Sequence, residues 1–415
     1  MVRTRLTSLL VTLAALSGLL LGTPTLAGAE PTGSSAGSSA PATDPVPLRP
    51  DPDPFYAAPA DIGDAAPGDV LGSRRIDALT YPNTDIWQIK YRSNNSADDP
   101  IAAVTTVLMP RGRTVGTPLV SYQAVVNALG TKCAPSHGLF SDELIEAPAV
   151  YLGMVARGWA VAVPDYLGPT GAYGAAKMEG RVTLDGIRAV QRFDQLPLAN
   201  SPVGLLGYSG GGLATSFAAA LAPTYAPELK IAGVAEGGIP SDLAQIAQNL
   251  AYSPLPHPGF GMAMAVALGL EREYPDRFPI TENLNDQGIA LRNKMFNECR
   301  RSILIDGAFH SARDLTTAAS LAETPSAQEV LRENSVTFYD GVPTAPLFVW
   351  QGVNDFIAPY QPVADMVGRY CAAGASVQFR GYPAAEHFSA TVLGLPEAYL
   401  WLDARLRGEP APSNC

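Results

Sequence analysis

What most constrains this chain is an alternation that begins near residue 86. Short β-branched or continuously apolar runs are followed by segments with helical spacing. Residues 86–91, 101–108 and 118–125 read as strands, and 143–157 has helical apolar spacing that stops at Gly158. A buried strand follows at 159–163, then a helix at 177–196, a strand at 203–206, an Ala-rich helix at 211–221 and a strand at 231–235. After a long break come a strand at 347–350, a helix at 362–373, a strand at 377–379 and a helix at 396–406. Strands without polar alternation must be buried on both faces, and parallel neighbours need a crossover between them. The predicted fold class is therefore α/β, a mostly parallel sheet covered by helices on both faces.

The break spans residues 240–343 and divides the core into 54–239 and 344–415. It contains the Pro-flanked loop Ser253-Pro254-Leu255-Pro256-His257-Pro258 and the apolar segment 259–270. It reads as an inserted, mainly helical cap over one end of the sheet. The segment 259–270 either covers a binding site or packs inside the cap; its spacing suits both.

The N-terminus points to export. Arg3 and Arg5 precede a thirteen-residue, mostly apolar run at 9–21, and Ala27-Gly28-Ala29 offers small residues for cleavage. A secretory signal over 1–29 is expected; the alternative, a membrane anchor, needs a longer run. Residues 30–53, rich in Pro, Ser, Ala, Gly and Asp, are expected to be a flexible linker. No later apolar run exceeds the twelve residues of 259–270, so no transmembrane segment is expected in the mature, secreted chain.

Composition excludes two classes. Hydrophobic residues at 47% allow a large core, which rules out global disorder. A net charge of −11 argues against electrostatic nucleic-acid binding. The four cysteines, Cys133, Cys299, Cys371 and Cys415, are too widely spaced for a zinc cluster. In an exported chain they read as two disulfides, and the sequence allows three pairings.

Gly207-Tyr208-Ser209-Gly210-Gly211 fits G-x-S-x-G and lies between the predicted strand 203–206 and the helix from 211. Such a sharp strand–helix turn strains the serine backbone and holds its Oγ at the carboxyl end of the sheet. The Gly210 N–H then points into the same space and can stabilise a tetrahedral oxyanion. Elsewhere the motif would be only a glycine-rich turn. The partners of such a serine follow in the order acid, then base. Of the four histidines, His137, His257 and His310 come too early, which leaves His387. Asp355 is the first carboxylate past the strand 347–350 and is the candidate acid. Glu386 is a sequence neighbour of His387 and points elsewhere. Asp165 ends a strand before Ser209 and reads as structural.

Around these residues the chain resembles the secretory lipase family. The matching stretches are Asp53-Pro54-Phe55-Tyr56, Ser121-Tyr122-Gln123, Cys133-Ala134-Pro135-Ser136 and Leu184-Asp185-Gly186-Ile187-Arg188-Ala189. They continue with residues 207–211, Tyr225-Ala226-Pro227-Glu228-Leu229, Pro359-Tyr360-Gln361-Pro362 and Glu386-His387. The resemblance implies an α/β-hydrolase with a helical cap, a Ser209-Asp355-His387 triad and disulfides Cys133–Cys299 and Cys371–Cys415. It further implies hydrolysis of long-chain acylglycerols at a lipid–water interface, with no metal or cofactor. At position 127 the family carries an Asp as an oxyanion-hole residue. Asn127 stands there in this chain, and its backbone N–H survives the change. Three other readings share the residues: an esterase for shorter or other esters, an acyltransferase, and a non-catalytic surface-binding protein that kept the fold. The intact Ser, Asp and His argue against the last.

Overall fold

The computed structural model describes residues 44–317 and 324–415. The expected signal at 1–29 and the linker up to residue 43 lie outside them. Nine strands form one sheet: β1 (Val70–Ile76), β2 (Thr84–Asn94), β3 (Pro100–Pro110), β4 (Leu119–Gln123), β5 (Ala160–Pro164), β6 (Val203–Tyr208), β7 (Ile231–Gly237), β8 (Leu347–Gly352) and β9 (Val377–Tyr382). Their spatial order is β1-β2-β3-β5-β4-β6-β7-β8-β9. The β1–β2, β2–β3 and β3–β5 pairs are antiparallel; every pair from β5 to β9 is parallel. Strands β4, β5, β6 and β8 are buried at every position, and β5, β6 and the first four residues of β8 are accordingly almost wholly apolar.

The longer helices are α1 (Ala176–Arg192), α2 (Gly210–Tyr225), α3 (Leu243–Leu250), α4 (Phe260–Glu273), α5 (Asp286–Met295), α6 (Pro325–Glu333), α7 (Tyr360–Ala372) and α8 (His387–Leu406). The two-residue period of the strands sorts their side chains between two cores. Leu205, Val234, Leu347 and Val349 pack with Val182 of α1, Phe217 of α2 and Met366 of α7. Leu206, Ala235, Phe348 and Trp350 pack with Trp401 and Leu402 of α8 on the opposite face.

Between the adjacent strands β7 and β8 the chain is helical, with α3 to α6 and the short helices Arg300–Asp306 and Ala312–Leu315. Two isolated bridges, His257–His310 and Leu284–Thr316, are its β pairings among the described residues. Insertion and sheet belong to one compact unit. Cys133 pairs with Cys299 and Cys371 with Cys415, at Cα separations of 5.4 and 5.2 Å. The first joins the loop after β4 to the insertion, and the second ties the end of α7 to the C-terminus. No helix among the described residues is long and apolar enough to cross a membrane.

The fold departs from the sequence reading in four places. The linker expected over 30–53 is not free from residue 44 on. Val46 and Arg49 donate their backbone N–H groups to Asn293 Oδ1 and Asn297 Oδ1, each at 2.8 Å. Arg292 and Asn297 donate back to the carbonyls of Val46 and Pro47. Composition could not reveal this, because the partners lie almost 250 residues away. Strand β1 was missed because it is a partly exposed edge carrying Arg74 and Arg75. The helix expected at 143–157 is a short one, Ala147–Gly153, followed by a 3-10 turn, Val155–Arg157. Pro148 suits its first turn. Helix α8 starts at His387 rather than near 396, because Glu386 and Ser389 form a reciprocal cap. Pro396 lies inside this helix.

Candidate active site

Strand β6 delivers the chain to Ser209, whose backbone takes φ 55° and ψ −124° before α2 begins at Gly210. A non-glycine residue there carries strain of roughly 1–3 kcal/mol. The Ser209 N–H is held by Gly237 O at 2.9 Å, and Leu213 N bonds Ser209 O at 3.0 Å. The turn also requires Gly211, since a Cβ there would lie 1.9 Å from the Gln123 carbonyl oxygen.

Asp355, in the loop after β8, and His387, the first residue of α8, converge on this serine. His387 Nε2 lies 2.9 Å from Ser209 Oγ, and His387 Nδ1 lies 2.7 Å from Asp355 Oδ2. The Asp355 carboxylate is itself held in place. Its Oδ1 accepts from the N–H groups of Ile357 and Ala358 at 2.9 and 2.8 Å, and Gln351 Nε2 donates to Oδ2 at 3.0 Å. An ionised carboxylate can only accept, so Nδ1 carries the proton and Nε2 keeps a lone pair facing the serine hydroxyl. Both partners are buried, with exposures of 7% for Asp355 and 4% for His387. Tyr208, the variable residue of the glycine motif, donates its hydroxyl to His387 O, and its ring lies 5.3 Å from the imidazole. Sequence reading passed over both Tyr208 and Gln351. Tyr208 sat in plain view inside the motif.

Asn127 follows β4 with a φ of 46°. It lies against Gly210, where a Cβ would be 3.6 Å from Asn127 Oδ1. Gly210 heads α2, so its N–H has no partner within the helix. The remaining candidates have other partners. Glu386 caps α8. Asp165 accepts from the N–H and Oγ of Ser136 at 2.8 and 2.6 Å, and burial pushes its pKa up to about 6. His137 contacts Asp51 at 2.7 Å, while His257 and His310 pair within the insertion.

Three further glutamates are held by hydrogen bonds, Glu179 and Glu236 buried and Glu146 half-buried. Glu146 accepts from Tyr122 Oη at 2.9 Å and from Val125 N at 3.2 Å, and burial raises its pKa to about 7. Glu179 accepts from Gly174 N, and Glu236 on β7 accepts from Ser216 Oγ on α2. Burial raises each to about 8.

Ser209 opens onto a narrow, partly solvent-open cavity. Its walls are largely apolar and come mostly from the insertion: Leu243 and Ile246 of α3, Met264 and Ala267 of α4, then Phe278 and Leu315. Segment 259–270 therefore contributes directly to the wall. Phe356 and Phe388, beside the acid and the base in sequence, are 48% and 64% exposed, with ring centroids 6.4 Å apart.

A mostly parallel sheet with a Ser–His–Asp chain at its strand–helix turn defines an α/β-hydrolase. The model of the family described as secretory lipase matches residues 145–414, and the chain belongs to that family of ester hydrolases. It is 34% identical over 388 residues to Lipase A of Moesziomyces aphidis, covering 88% of this chain and 82% of that one. It is 33% identical over 380 residues to a probable inactive lipase of Mycobacterium tuberculosis, covering 88% and 84%. The crystal structure of Candida antarctica lipase A in its closed state superposes with a TM-score of 0.81 at 30% identity, covering 88% of this chain and 90% of that one.

Proposed function

We propose that this protein is a secreted serine lipase that cleaves carboxylic ester bonds of acylglycerols through an acyl-enzyme on Ser209. The observation that carries the reading is the hydrogen-bonded chain Ser209–His387–Asp355 opening onto an apolar cavity. His387 Nε2 takes the Ser209 proton as Oγ attacks the ester carbonyl. The N–H groups of Gly210 and Asn127 hold the oxyanion. The C–O bond to the alcohol breaks, and the Nε2 proton goes to the departing oxygen. Water, deprotonated by the same nitrogen, attacks the acyl-enzyme; the fatty acid leaves and Ser209 regains its proton.

Two further points support parts of this reading. The paired cysteines suit an oxidising, extracellular compartment. Exposed Phe356 and Phe388, with Val392 one turn along α8, offer apolar contact to a lipid surface beside the catalytic pair. A relative named as inactive makes the fold alone insufficient as an argument. The reading rests instead on the three side chains being present and in contact.

Substrate class is tested by measuring kcat/KM across acyl lengths with p-nitrophenyl esters. Each methylene buried in the cavity adds up to ~0.8 kcal/mol, roughly fourfold per carbon, until the cavity is filled. Rising values from acetate through octanoate are expected. A maximum at acetate or butyrate would favour the short-chain esterase.

A further inference from the structure

We propose that Tyr173 is a positioning residue for the oxyanion hole, acting through the side chain of Asn127. The inference rests on the Ser209 reading above and extends it to a residue outside the triad. Asn127 adopts a left-handed backbone, which asparagine tolerates better than most residues but which still needs support. The loop is tied on both sides of it. Upstream, Val125 N donates to Glu146. Downstream, the N–H groups of Leu129 and Gly130 donate to Glu298 O at 3.1 and 3.2 Å, and Arg272 Nη1 donates to Leu129 O at 2.6 Å. Between these ties, Tyr173 Oη donates to Asn127 Oδ1 at 2.6 Å, and both side chains are buried.

The Tyr173 ring also meets the second oxyanion residue. A Cβ at Gly210 would lie 3.2 Å from Tyr173 Cε2. One side chain therefore braces both amides that face the developing charge. Tyr173 is in turn clamped by the insertion. A Cβ at Gly269 of α4 would lie 2.2 Å from Tyr173 O and 2.4 Å from its N, so only glycine allows the helix to seat there. Burial pushes the Tyr173 pKa well up, so its hydroxyl remains a donor across the working pH range. Asn127 accepts this bond as a neutral amide, so the hole is braced without a carboxylate beside a developing negative charge.

Tyr173→Phe deletes the hydroxyl and keeps the ring against Gly210. With p-nitrophenyl butyrate, kcat should fall about 10- to 100-fold, the scale of a displaced oxyanion donor, and KM should stay within about twofold. Affinity for a trifluoromethyl ketone, which forms a tetrahedral adduct on the serine, should fall in parallel with kcat/KM. Inhibition by the product fatty acid should not change. Asn127→Gly keeps the backbone N–H and accepts positive φ while removing the acceptor. In that background Tyr173→Phe should have no further effect, because its partner is gone.

An unchanged kcat in Tyr173→Phe would overturn the proposal. So would full multiplicative loss in the double variant, which would place Tyr173 on the substrate itself. Equal losses in ketone and fatty-acid binding would point to a merely structural role and would also overturn it. If Ser209→Ala is inactive while Tyr173→Phe is unaffected, only this proposal fails. Activity in Ser209→Ala would instead remove the reading beneath it.

Discussion

Asp355 Oδ2 meets His387 Nδ1 at 2.7 Å while the remaining acceptor sites of the carboxylate are filled by two backbone amides and Gln351. The acid therefore has one orientation, and it imposes one tautomer on the base. Asp355→Asn would keep the shape and put an N–H donor within reach of Nδ1, which favours the wrong tautomer. We expect kcat to fall on the order of 10⁴-fold with the melting temperature nearly unchanged. Steady-state turnover beside a thermal melt checks this. Retention of more than a tenth of the activity would remove Asp355 from the role.

Glu236 makes stability pH-dependent. Its pKa is raised from 4.5 to about 8 by burial, with one oxygen on Ser216 and the other without a hydrogen-bond partner among the described residues. The folded chain thus holds a proton that the unfolded chain releases above about pH 4.5. Stability must fall as pH rises from about 5 to 8, and Glu146 and Glu179 add to the same slope. Glu236→Gln should flatten that fall, with its largest gain over the parent at the alkaline end. Urea midpoints at pH 5 and pH 8 for both proteins decide it. Equal slopes would show that Glu236 does not titrate in this window.

The two disulfides close loops with sequence separations of 166 and 44 residues. On the chain-entropy account each stabilises by about 3–5 kcal/mol, the longer loop more. Removing Cys371–Cys415 by double Ala substitution should lower the urea midpoint while preserving activity. Removing Cys133–Cys299 should also reduce activity, because Cys133 lies just beyond the Asn127 loop. Alkylation of the unreduced parent should label no cysteine.

Phe388 is solvent-exposed beside the catalytic base. Phe388→Ser should lower the rate on emulsified triacylglycerol several-fold and leave kcat/KM on a dissolved butyrate ester within about twofold. The two assays run on one enzyme preparation separate surface contact from chemistry. Equal losses in both would assign Phe388 to the site instead.

Legibility followed physical range. Strands β5, β6 and β8 were readable because burial on both faces writes a near-continuous apolar run into the sequence. Ser209 was readable because the turn around it leaves no room for a side chain at Gly207 and Gly211. Asp355 and His387 followed from chain order, and in the fold His387 bridges Asp355 on one ring nitrogen and Ser209 on the other. Residues 44–49 were misread as linker because their order comes from Arg292, Asn293 and Asn297, remote in sequence and invisible to composition, and Asp51 and Asp53 are held by His137 and Arg74. The start of α8 was misread because a proline normally opens a helix, whereas here Glu386 and Ser389 open it earlier. Tyr173 escaped notice because it sits in a glycine-rich loop with no periodicity, and its significance lies in a contact with Asn127 across 46 residues.

The acyl-enzyme on Ser209 is the centre of the account. It is tested most directly by acid-quenching the protein during turnover of p-nitrophenyl octanoate and mapping the acyl adduct by peptide mass. The account predicts one octanoyl group on the peptide containing Ser209, and neither adduct nor turnover in Ser209→Ala. An adduct on another residue, or Ser209→Ala turnover within a few-fold of the parent, would contradict it.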